Sequence, residues 1–149
     1  DMYLALRGLR TMAVRLAHHQ KSALAIAEWL AGRPEVARVL HPALPSDPGH
    51  AIWKRDFAGS SGLFGVVMKG GSDAAVSAFL DHLELFGLGY SWGGFESLAI
   101  PAEPSAVRTA VPWKAEGRLL RFQIGLEDTA DLIADLDAGL ARWRAALDG

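Results

Sequence analysis

Apolar residues in the first third of the chain fall on a helical period. Leu9, Met12, Leu16, Ala23, Ile26 and Leu30 recur at three- or four-residue steps with one longer gap, which predicts a long helix over residues 4–31. Gly8 weakens its start and marks a candidate bend, and Gly32 followed by Pro34 is a stop signal. A short β-branched run, Val36 to Leu40, then predicts a strand ended by His41-Pro42. After a turn-rich stretch, residues 50–57 are compatible with a short helix. The continuous apolar run Gly62 to Lys69 predicts a buried strand.

Gly70-Gly71 turns the chain, and Ser72 is placed to cap a helix with Val76, Phe79, Leu80 and Leu83 on one face. Residues 85–90 predict a third strand that runs into a serine- and tryptophan-bearing segment. Residues 100–111 are broken by prolines and predict irregular chain with a helical turn at 105–110. Leu119 to Ile124 predicts a fourth strand. The last helix is the clearest element, with Asp128 as its N-cap, Asp131 in its first turn, and Leu132, Leu136, Leu140, Trp143 and Leu147 as its apolar stripe. The mixed order predicts an α+β fold: a small, mainly antiparallel sheet of about four strands with helices packed on one face.

Composition narrows the function classes. The chain has 149 residues, 50% of them hydrophobic and 21% charged, with a net charge of −2. That suits a single soluble core and leaves no basic footprint for nucleic acid or an anionic membrane. No apolar run approaches the ~18 residues that span a bilayer, and the default location is cytoplasmic. The absence of cysteine excludes disulfides, thiolate metal sites and cysteine nucleophiles. Asp1 leads at once into Tyr3-Leu4-Ala5-Leu6, an apolar opening expected of a chain cut from a longer one.

The candidate chemistry centres on Gly89-Tyr90-Ser91-Trp92-Gly93-Gly94-Phe95-Glu96-Ser97-Leu98. Its Gly-x-Ser-x-Gly core imitates a nucleophile elbow, which would need its histidine downstream. All five histidines (His18, His19, His41, His50, His82) precede Ser91, and no amphipathic helix follows Gly94, so the hydrolase reading fails. Metal binding fails too, because His18 and His19 diverge by ~100° on a helix and no second ligand pair has suitable spacing. Phosphate-cradling glycine motifs are missing. Arg121 stands out as a cation among apolar neighbours in a predicted strand. Its planar fork suits bidentate capture of a carboxylate, while an outward-facing or salt-bridged arginine is the plainer alternative.

Together these residues resemble the C-terminal domain of the pyridoxal-phosphate enzymes of cysteine and methionine metabolism, and most closely their bacterial cystathionine β-lyase branch. The resemblance rests on Arg7-Gly8-Leu9-Arg10-Thr11, His50-x-x-Trp53-x-Arg55-Asp56-Phe57, Gly62-Leu63-Phe64, the 89–98 segment, and Arg121-x-x-Ile124-Gly125-Leu126-Glu127-Asp128. It covers nearly the whole chain, in the family's order.

The resemblance implies the small domain of a fold-type I enzyme, with residues 1–31 as a helix linking to a large domain and residues 32–149 as the small α+β domain. It implies that Arg121 pairs with the substrate α-carboxylate, that Ser91 helps hold the same end, and that Trp92 adds an indole donor and a wall. By the same resemblance, Trp92 separates the β-lyase branch from relatives that carry leucine there. The implied cofactor is pyridoxal 5′-phosphate, held mainly by the large domain through a lysine in a Ser-x-Thr-Lys context. Lys21, Lys54, Lys69 and Lys114 have no such surroundings. The implied activity of the parent is cleavage of L-cystathionine to homocysteine, pyruvate and ammonia in methionine biosynthesis, by a homo-oligomer, expected to be a tetramer. The 149-residue chain alone is expected to be folded and inactive. The rival readings are a broader cysteine-S-conjugate β-lyase, a γ-family relative, and a non-catalytic binding or assembly module.

Overall fold

The computed structural model describes residues 1–114 and 117–148; Gly149, the last residue of the expected small domain, lies outside them. The described elements are α1 (Met2–Arg10), α2 (Met12–Ala31), β1 (Val36–Leu40), α3 (His50–Asp56), β2 (Leu63–Met68), α4 (Asp73–Leu80), β3 (Phe86–Leu88), β4 (Ser97–Ala102), a 3₁₀ turn (Pro104–Ala106), β5 (Leu119–Gln123) and α5 (Thr129–Asp148). The strands form one sheet in the order β1-β2-β5-β4-β3. All neighbours are antiparallel except β3 and β4.

The α+β class and the predominantly antiparallel sheet match the sequence reading, but the sheet has five strands rather than four. The additional strand is β4, which the proline-rich sequence had placed partly in irregular chain. Pro101 is tolerated because β3 pairs only with Ser97, Leu98 and Ala99, so Pro101 lies beyond the end of that ladder. The third strand is also shorter than expected, three residues instead of six.

The expected long helix is two helices. At Thr11 (φ −105°, ψ 3°) the ladder is interrupted, and the Arg15 guanidinium bonds the Gly8 carbonyl at 2.7 Å. A side chain inserted into the backbone ladder is an ordinary cause of a helix break. Only the second half of the expected stripe is buried: Ala23, Ile26 and Leu30 lie in the core, whereas Leu9, Met12 and Leu16 are exposed.

One face of the sheet carries the core. Phe64, Val66, Ala99, Leu120 and Phe122 meet α2, α4 and α5 there. The α5 stripe holds as predicted through Leu132, Leu136, Leu140 and Trp143, all fully buried, but Leu147 is half exposed at the helix end. Each such burial contributes roughly 1.5–3 kcal/mol. Trp143 explains Gly71, whose φ is +98° and where a Cβ would overlap the indole ring. The starts of α4 and α5 are capped by side chains: Ser72 Oγ accepts from Ala75 N–H at 3.2 Å, and Asp128 Oδ1 accepts from Ala130 N–H at 2.8 Å.

Candidate substrate-end site

Arg121 is placed by the alternation of β5. Its neighbours Leu120 and Phe122 point into the core, so the arginine emerges on the opposite face, in one row with Gly65 of β2 and Ile100 of β4. Its Nη2 donates to Tyr90 O at 2.7 Å and to Gly89 O at 3.3 Å. Its guanidinium carbon lies 5.8 Å from the centre of the Tyr90 ring. The fold thus brings together a strand residue and a loop about thirty positions earlier.

The charge on this arginine is uncompensated. No carboxylate among the described residues forms an ion pair with it. Its Nε is buried and has no hydrogen-bond partner. A desolvated, unpaired donor on a cation is costly to keep, and it is satisfied most economically by an incoming anion. The salt-bridged alternative is therefore absent among the described residues, and the arginine is half buried rather than fully outward-facing.

Ser91 and Trp92 follow directly on the two carbonyls that Arg121 holds. Both side chains are exposed, Trp92 by 65%. They lie on the β3–β4 connection, residues 89–96, with Tyr90 and Phe95 also exposed and Gly93 at φ +78°. No helix follows Gly93, so this is not the strand-to-helix turn of a nucleophile elbow.

The far end of the connection is tied down by residues that sequence reasoning had quoted only as part of a motif. Leu126 N–H donates to Phe95 O at 2.8 Å. Glu127 accepts from Ser97 N–H (2.8 Å) and from Ser97 Oγ–H (2.7 Å), while Gly125 N–H donates to Ser97 Oγ at 2.8 Å. Spacing offered no signal for this network, because Ser97 and Glu127 are thirty positions apart.

The other motif residues serve other places. His50 and Trp53 belong to α3 and Phe57 directly follows it; the helix faces α2 across a groove of about 1080 Å³ lined by Leu16, Ile52, Trp53 and Phe57. Trp53 Nε1 closes the following loop by donating to Gly59 O at 3.3 Å. Of the adjacent histidines, His18 is exposed, and His19 is buried, with Nδ1 donating to Ile124 O at 2.7 Å. Among the described residues no three His, Asp or Glu side chains are grouped to hold a metal ion, and no helix is long and apolar enough to cross a membrane.

Comparison with known proteins gives this geometry its family. Residues 1–141 match the model of the Cys/Met metabolism PLP-dependent enzymes. The cystathionine β-lyase of Salmonella typhimurium is 56% identical over 144 residues, covering 94% of this chain and 36% of that protein. The cystathionine β-lyase of Escherichia coli is 53% identical over 144 residues, with the same coverage. A crystal structure of cystathionine γ-synthase from Xanthomonas oryzae, in complex with cystathionine, superposes with a TM-score of 0.83 at 42% identity, over 97% of this chain and 38% of that one. The chain spans little more than a third of the length of the relatives it matches. A shared fold at this identity and a family match over nearly the whole sequence leave one assignment: the chain belongs to the Cys/Met metabolism PLP-dependent enzyme family.

Proposed function

We propose that this chain is the substrate-carboxylate half of a carbon–sulfur β-lyase, and that its full-length parent cleaves the Cβ–S bond of L-cystathionine. The observation that carries the reading is Arg121, a half-buried guanidinium with no carboxylate partner and an unsatisfied Nε, facing the loop that bears Ser91 and Trp92. An amino-acid carboxylate supplies the missing acceptor and fixes the orientation of the Cα substituents. Ser91 assists at the same end, and Trp92 forms a wall and an indole donor. The higher identity to β-lyases than to the γ-synthase favours the β branch, as does the tryptophan at position 92.

The family depends on pyridoxal phosphate, but the residues described do not fit that group. Lys21, Lys54, Lys69 and Lys114 are all exposed, and Lys69 Nζ already donates to Pro34 O at 2.8 Å. The cofactor and its lysine would come from the rest of the parent, most of whose length lies outside this chain. We therefore expect the chain alone to be inactive, and the parent to be a cytoplasmic homo-oligomer, a tetramer, with no nucleic-acid or membrane partner.

The test uses the cofactor-loaded parent. L-Cystathionine should yield pyruvate with homocysteine and ammonia; 2-oxobutanoate with cysteine would instead indicate γ-elimination. Arg121→Ala should lower kcat/KM by about 10²-fold or more, the scale of an uncompensated charge pair. Full activity without the arginine would overturn the clamp. Pyruvate release by the 149-residue chain with added cofactor would overturn the expectation of inactivity.

A further inference from the structure

The loop at 89–96 makes a short journey that parallel strands seldom make. Phe86 stands opposite Ser97 and Leu88 opposite Ala99, so the chain must return from the end of β3 to the start of β4. Parallel neighbours usually need about a dozen residues or more and a helix for this. Here eight residues do it, with no helix and with Tyr90, Trp92 and Phe95 all exposed. Within this chain burial contributes little to the order of the loop, and the bonds that hold it lie at its two stems.

Both stems are held by the same stretch of chain, residues 121–127. Arg121 grips the first stem through the carbonyls of Gly89 and Tyr90. Glu127 grips the second with both carboxylate oxygens, one on the backbone N–H of Ser97 and one on its hydroxyl. Ser97 is fully buried, and its Oγ accepts in turn from Gly125 N–H. A Cβ at Gly125 would overlap the Phe95 carbonyl and the Glu127 carboxylate, so the seat is closed around glycine. Glu127 has no cation partner among the described residues. Its charge is spent on neutral donors, which makes these bonds charge-assisted and stronger than amide–amide ones.

We infer that Glu127 is a positioning residue for substrate, acting through Ser97 to hold the second stem so that Ser91 and Trp92 stay in register with Arg121. This rests on the carboxylate-clamp reading above. Losing Glu127 leaves the strand and its guanidinium in place but releases the loop that completes the site. The effect belongs mainly on KM, because the arginine's own charge is unchanged.

The experiment uses the full-length, cofactor-loaded parent with Glu127→Ala, Glu127→Gln, Ser97→Ala, the double variant Ser97→Ala/Glu127→Ala, and Arg121→Ala as reference. Glu127→Ala should reduce kcat/KM by about 10- to 100-fold, the usual range for a lost supporting contact, mostly through KM and with cofactor absorbance retained. Glutamine keeps an acceptor for the Ser97 N–H but turns an amide toward the hydroxyl, so it should fall between wild type and alanine. The double variant should be no worse than the poorer single variant, because the two residues act as one unit. Amide exchange across residues 89–97 should accelerate in Glu127→Ala. If Glu127→Ala does not fold, Ser97→Ala carries the same test. Unchanged kcat/KM and unchanged loop exchange, with Arg121→Ala inactive, would overturn this inference and leave the clamp standing. Full activity of Arg121→Ala would instead remove the clamp itself.

Discussion

Neighbouring residues on β5 face opposite ways, Phe122 into the core and Arg121 toward the proposed site, and truncating Phe122 tests the core side of that division. Phe122 is 1% exposed and stands across the register from Phe64 and Ala99. Three rings surround it: Phe64 at 5.8 Å, Phe86 at 5.9 Å edge-on and Phe79 at 6.3 Å edge-on. A buried Phe→Ala change costs about 3–5 kcal/mol through lost transfer energy and the cavity left behind. Offset and edge-to-face pairs each add ~0.5–1.5 kcal/mol beyond area, partly counted already, which places Phe122→Ala in the upper half of that range, at about 4–5 kcal/mol. Phe122→Leu retains much of the volume and should cost no more than about 1–2 kcal/mol. Arg121→Ala, one residue away but on the other face, removes an unsatisfied cation and should change stability by less than about 1 kcal/mol. Urea unfolding followed by circular dichroism measures all three, with an unchanged m-value as the check that the denatured states are alike. A cost below about 2 kcal/mol for Phe122→Ala would refute the placement of this ring at the centre of the core.

Three further outcomes follow from other parts of the molecule. Arg121→Lys keeps the charge but cannot hold the Gly89 and Tyr90 carbonyls and a carboxylate together, so the parent's kcat/KM should fall by about tenfold or more in steady-state assays. His41 is buried beside Phe64, and Ala43 N–H donates to its Nδ1 at 3.2 Å; burial holds its pKa below the ordinary 6.5, against a weaker upward pull from its backbone hydrogen bond and Asp47. The unfolded chain therefore takes up that proton first, so stability is complete above about pH 6.5 and declines as pH falls toward the native-state value; His41→Gln should flatten this slope in pH-dependent urea titrations. The apolar residues of α1 and early α2, including Leu4, Leu6, Leu9 and Leu16, are exposed, so the 149-residue chain should self-associate with rising concentration, and light scattering showing only monomer would contradict this.

Legibility in the sequence followed the reach of the forces involved. The strands β1, β2 and β5 and the α5 helix were readable because their apolar period reports burial directly, as Leu132, Leu136, Leu140 and Trp143 demonstrate. Gly8 marked a candidate bend, but the break itself falls at Thr11, where the Arg15 guanidinium meets a carbonyl seven residues away, a contact that local pattern does not report. Strand β4 was hidden by Pro101, which is harmless only because β3 ends before it, a fact of sheet order rather than of local preference. Periodicity also described the stripe of the first helices correctly while misjudging its burial, because a stripe records what a surface can pack against and not what is present. At the site, Arg121 announced itself as a charge among apolar neighbours, but its attachment to Gly89 and Tyr90 required the fold.

The geometry of residues 121–127 gives a reason for the loop's composition that neither end explains alone. The crossover between the parallel strands has only eight residues and no helix, and Gly93 turns it at a φ of +78°, a left-handed conformation that favours glycine. Such a loop has little intrinsic order, and its aromatic side chains lie exposed rather than in the core. Anchoring both stems to one continuous stretch of β5 and its exit solves this, because any shift of the strand carries the arginine and the loop together. The same economy accounts for the uncompensated Arg121. A carboxylate placed nearby to neutralise it would improve the isolated fold, but under the proposed clamp it would fill the acceptor position kept for the substrate.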